Sequence, residues 1–73
     1  MKLWMYKHYK GNTYEVIAIG KHSDTLEEYV TYQGQYNSPE FGDKAIWMKS
    51  VKEFEKEIEI DGKKVKRFTY IGQ

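Results

Sequence analysis

Two histidines, His8 and His22, are the side chains of this sequence best suited to proton chemistry near neutral pH. His22 opens the polar segment His22-Ser23-Asp24-Thr25-Leu26-Glu27-Glu28, which gathers one imidazole, two hydroxyls and three carboxylates around a single leucine. The catalytic reading of this segment is a small hydrolase or transferase centred on His22 and Glu28. A serine nucleophile must point at its base, yet Ser23 adjoins His22 in sequence and lacks a glycine-flanked elbow. The simpler chemistry is favoured, in which Ser23, Asp24 and Thr25 bond backbone amides and stiffen a turn. Zinc ordinarily takes at least three protein ligands. His8 and His22 with one of Asp24, Glu27 or Glu28 have no ligand spacing, so neither metal nor cofactor is expected. Each histidine is instead expected to bond loop backbone. Gly11, Gly20, Gly34, Gly42, Gly62 and Gly72 are scattered singly and form no phosphate cradle.

The aromatic residues are the stronger lead. They make up 16% of the chain, seven of them tyrosines, and tyrosine joins a large apolar body to a hydroxyl that needs a partner. Tyr14, Trp47 and Phe54 are assigned to the core, because so short a chain needs its largest side chains inside. Tyr9, Tyr32 and Tyr36 lie nearer turns and are expected at the surface. The predicted contact set is therefore Tyr9, Tyr32 and Tyr36, edged by His8, His22, Ser23, Glu28 and Lys49. Such a surface suits a non-catalytic binding module that recognises a peptide or another protein. A single-stranded nucleic-acid binder using the same aromatics with Lys7, Lys10, Lys21, Lys49 and the Lys63 to Arg67 cluster is the alternative. Charge weakens it: 12 Lys+Arg stand against 11 Asp+Glu, a net of +1, whereas affinity for polyphosphate comes from clustered positive charge. The basic cluster also follows Glu53, Glu55, Glu57, Glu59 and Asp61, so two adjacent strands are expected to neutralise each other.

The elements that must position these groups are mostly strands. Leu3 to Tyr9 is rich in β-formers and runs through the turn cluster Lys10-Gly11-Asn12-Thr13 into Tyr14 to Lys21. Within the second strand the period of two puts Tyr14, Val16, Ala18 and Gly20 on one face and Ile17 and Ile19 on the other. Gly20 is a candidate bend. Tyr29 to Gln33 and Ala45 to Lys49 read as further strands, separated by a long loop from Gly34 to Asp43. Ser50-Val51-Lys52-Glu53 has the spacing of a capping box and predicts a single helical turn. Glu57 to Ile60 and Val65 to Ile71 flank Asp61-Gly62-Lys63-Lys64, whose Asp-Gly pair signals a hairpin with Ile58, Ile60 and Val65 facing inward. Five or six short strands with one or two helical turns predict a mostly-β fold, a single small SH3-like barrel spanning residues 1–73, with an α+β roll as the alternative. Cysteine is absent and the longest apolar run is Val16 to Ile19. Disulfides and a membrane-spanning helix are thereby excluded, and a cytoplasmic address is expected.

Tyr6-Lys7-His8-Tyr9-Lys10-Gly11-Asn12 followed by Tyr14-Glu15-Val16, and the stretch His22 to Tyr32, resemble the bacterial family known as domain of unknown function 1653. The likeness continues through Tyr36, Trp47, Phe54, Asp61-Gly62 and Arg67-Phe68. It implies a small bacterial domain and no particular activity. After Trp47 the family pattern has an Arg-Pro pair where this chain has Lys49-Ser50, exchanging a planar fork for a point charge.

Overall fold

The longer strands of the fold form where β-branched or aromatic residues alternate, and most end at a glycine or polar turn. The structure is a computed structural model describing residues 1–72. Five strands form the main sheet: β1 (Trp4–His8), β2 (Thr13–Lys21), β3 (Glu28–Gly34), β6 (Ile46–Ser50) and β9 (Phe68–Gly72). Their order is β6-β3-β2-β1-β9, and every neighbour is antiparallel. The Gly34 to Asp43 loop contains a two-residue ladder, β4 (Asn37–Ser38) with β5 (Gly42–Asp43). A separate hairpin pairs β7 (Glu57–Ile60) with β8 (Lys63–Lys66). The only helix among the described residues is α1 (Val51–Phe54). It is capped as the sequence predicts, with Ser50 Oγ accepting the Glu53 amide at 3.1 Å.

The mostly-β expectation therefore holds, but β6 and β9 remain unpaired edges of the main sheet, and no closed barrel forms among the described residues. The sheet nonetheless curls. Flat, its two edge strands would lie about 19 Å apart at about 4.8 Å per strand. Yet Lys49 Nζ on β6 sits 5.7 Å from the centre of the Phe68 ring on β9.

Two details of register depart from the period of two. In β2, Val16 pairs with Tyr32 and Ala18 with Thr31, so Ile17 is the extra residue of a β-bulge. Beyond it the faces exchange. Ile19, and not Ala18 or Gly20, lies opposite buried Val30 and packs on the core, while Ile17, Ala18 and Gly20 are exposed. The bend expected at Gly20 is thus replaced by a bulge three residues earlier. In the β7–β8 hairpin, Ile60 pairs with Lys63 across the two-residue turn Asp61-Gly62, whose φ values of 51° and 78° both lie in the left-handed region. The turn is shorter than the four-residue loop expected. Ile58 and Val65 face each other half-buried, but Ile60 is exposed.

The core is largely aromatic: Tyr6, Tyr32, Phe54 and Phe68 are buried with Val16 and Val30. Phe54 is the plug. It stacks on Phe68 at 4.0 Å and meets Tyr6 and Tyr32 edge-on at 5.2 and 5.3 Å. One helical turn thereby fills the hollow of a curled single sheet, which has no second layer to supply side chains. Among the described residues no helix is long and apolar enough to cross a membrane.

Candidate binding cleft

The concave face of the sheet is incompletely filled. The Phe54 plug covers its middle, and beyond the plug an open cleft of about 390 Å³ is lined by His8, Tyr14, Tyr32, Trp47, Met48, Lys49 and Phe68. All five strands of the main sheet contribute to it. Strand pairing aligns these residues: His8 lies opposite Phe68 and Tyr32 opposite Trp47. Tyr14 lies opposite Gly34, which leaves a notch in the row. Tyr36 occupies that notch so closely that a Cβ on Gly34 would meet its ring at 2.8 Å. The Tyr36 hydroxyl is 2.8 Å from that of Tyr14. The long loop also brings Phe41 edge-on to Trp47 at 4.9 Å.

Polar groups are few and consistent in character. Trp47 keeps its indole Nε1–H shielded from solvent without an acceptor. Such an orphan donor costs about 1–3 kcal/mol, and native structures seldom keep one without a reason. His8 Nδ1 accepts the Lys10 amide at 3.2 Å, which leaves Nε2 to carry the proton of the neutral ring. The His8 ring stands 4.9 Å from Phe68, edge-on, and 4.5 Å from Tyr9. Burial, then the charges of Lys10, Arg67 and Lys49, lower the His8 pKa below the usual imidazole value. Burial followed by Arg67 likewise lowers that of Lys49, with Glu53 acting the other way. Burial raises that of Tyr32.

Of the residues predicted to form a contact surface, His8, Tyr32 and Lys49 line this cleft, and Tyr36 stands behind Tyr14. Tyr32 is a buried core ring rather than an exposed one. Tyr9 is exposed and packs beside His8, its amide bonded to the Arg67 carbonyl at 2.9 Å. His22, Ser23 and Glu28 are elsewhere. The Lys21–Glu28 pair closes one end of the β2–β3 ladder, and Tyr14–Gly34 closes the other. That separation is roughly 20 Å at about 3.3 Å per residue. The 22–28 segment therefore does not lie beside the tyrosines of the cleft. His22 Nδ1 accepts the amides of Asp24 and Thr25 at 3.2 and 3.3 Å, tying up that nitrogen within its own turn. Leu26 has φ 63° and is 66% exposed. Glu28 borders a shallow depression with Glu27, Val51, Lys52 and Glu55. Among the described residues no group of three or more His, Asp or Glu is placed to hold a metal ion.

Sequence reasoning missed Phe68 and Met48 as cleft residues and assigned Trp47 and Tyr14 to the core alone. The β1–β9 pairing, which joins the two ends of the chain, places Phe68 beside His8. No local pattern announces such a contact. A further cleft of about 400 Å³ lies across the plug, between Met1, Lys2, Tyr6, Glu55, Lys66 and Tyr70. The cleft at His8 is the better candidate, because all five strands of the main sheet line it and Lys49 and His8 meet there over the Phe68 ring.

An antiparallel sheet curled round an aromatic plug, with an aromatic cleft left at its opening, defines a small β domain with a preformed recess. The family model described as protein of unknown function (DUF1653) matches residues 4–70, and the chain belongs to that family. A crystal structure of a protein belonging to DUF1653 from Bordetella bronchiseptica is similar, with a TM-score of 0.85 at 21% identity. The match covers 99% of this chain and 88% of that one. At that identity the likeness is one of fold. No curated protein matches the chain.

Proposed function

We propose that this domain is a non-catalytic binding module that holds a segment of peptide or protein in the cleft between His8, Trp47 and Phe68. The observation that carries the reading is the aromatic recess itself, to which all five strands of the main sheet contribute side chains. Aromatic grooves on small β domains commonly hold extended chains. The open curl of the sheet reads as an SH3-like barrel left unclosed between β6 and β9, with the groove in the gap. Register speaks against nucleic acid. Glu57 pairs with Lys66, Glu59 with Lys64 and Lys21 with Glu28, so three of the eight cations such a binder would use already face acids. A hydrolase centred on His22 and Glu28 has nothing to support it, since that imidazole holds its own turn.

Selection of displayed random peptides on the intact chain tests the proposal. Enriched peptides should shift the Trp47 indole resonance on binding and should lose affinity for Trp47→Phe. Oligothymidylate binding that falls steeply with salt, without peptide enrichment, would sink the reading.

A further inference from the structure

The cleft's cations are not paired off as those of the hairpin are. Lys49 projects over Phe68, its Nζ 5.7 Å from the ring centre, and His8 meets the same ring at 4.9 Å. Arg67, next in sequence to Phe68, acts electrostatically on His8, Lys49 and Tyr32 together, and Lys10 adds to the charge felt by His8. The one acid acting on Lys49 is Glu53, on α1. Lys49 and Arg67 thus act on one another and on a neutral His8, partly out of water, around an apolar floor where each charge disfavours the next. An apolar ligand would leave this repulsion in place, whereas a carboxylate would relieve it and accept hydrogen bonds from the donors.

Resting on the peptide-binding reading above, we infer that the occupant of this cleft is an acidic peptide segment. Its carboxylate sits between Lys49 and His8, and the adjoining apolar side chain lies on Phe68 and Trp47. The carboxylate belongs either to an Asp or Glu side chain or to a chain terminus. Both offer the same chemistry.

Three probes separate the outcomes by NMR titration of the intact chain: acetyl-leucyl-glutamate amide, its glutamine counterpart, and acetyl-leucine with a free terminal carboxylate. The glutamate peptide or acetyl-leucine should shift the Trp47 indole and the His8 ring saturably, at least tenfold more tightly than the glutamine peptide. Which of the two does so identifies the source of the carboxylate. Binding should also raise the His8 pKa, since a nearby anion favours imidazolium. Lys49→Gln should abolish the preference while keeping the thermal midpoint of the parent. Equal binding of the glutamate and glutamine peptides overturns the acidic specificity and leaves a peptide cleft standing. Cleft shifts produced by inorganic phosphate or oligothymidylate, with no response to any of the three probes, overturn the inference and the peptide reading together.

Discussion

Phe54→Ala is the sharpest test of how this fold is held. Phe54 is 1% exposed and contacts Tyr6, Tyr32 and Phe68, so no other residue of α1 carries comparable packing. Truncating a buried phenylalanine to alanine costs about 3–5 kcal/mol in well-packed cores. The whole stability of a 73-residue domain is about 4–11 kcal/mol at typical values per residue. The substitution therefore removes between a quarter and all of it. At about 4–8 °C per kcal/mol for a domain of this size, the midpoint should fall by at least about 12 °C. Phe54→Leu, which keeps most of the volume, should cost under about 1.5 kcal/mol and remain folded. Thermal unfolding followed by near-ultraviolet circular dichroism reads both, because that signal reports the packed tyrosines. A Phe54→Ala midpoint within about 5 °C of the parent would show that the sheet holds without its plug, and the account of the core given above would be wrong.

Two further outcomes are expected. Gly34→Ala should expel the Tyr36 ring, break its hydroxyl contact with Tyr14 and cost about 1–3 kcal/mol, as overpacking does; a crystal structure of the variant with that contact intact would contradict it. His22→Ala should cost about 1 kcal/mol by stranding the Asp24 and Thr25 amides, with His22→Asn restoring most of it, while the cleft resonances stay unmoved; binding lost at an unchanged midpoint would return the 22–28 loop to the site.

What the sequence made legible was local. Most strand positions followed from β-branched and aromatic alternation, the helical turn from Ser50 and Glu53, and the last hairpin from Asp61-Gly62, because each signal lies within a few residues of its effect; Val65 to Ile71, expected as one strand, is instead divided at Arg67 between β8 of the hairpin and β9 of the main sheet. The Ile17 bulge was not legible, since its extra residue is an ordinary β-former and nothing in its type marks it as supernumerary. Tyr32 was assigned to the surface from its nearness to a turn, but the burial of a strand residue depends on which sheet face the curl closes over. The position of the 22–28 loop failed for a related reason. Its composition is rich in functional groups, yet those groups are consumed in shaping the turn, His22 Nδ1 above all. The meeting of Phe68 with His8 in the candidate site depends on β9 returning beside β1, a closure between residues sixty positions apart that only the finished sheet displays.

The bulge in β2 also divides the strand into two reading frames for substitution. Up to Val16 the even-numbered positions are closed to polar residues and the odd-numbered Glu15 already tolerates charge. From Ala18 onward the parity inverts, with Ile19 held and Gly20 free. Related sequences compared column by column across Ile17 would therefore seem to exchange inside for outside within one strand, and a relative lacking that one residue would keep the same two faces with unbroken alternation.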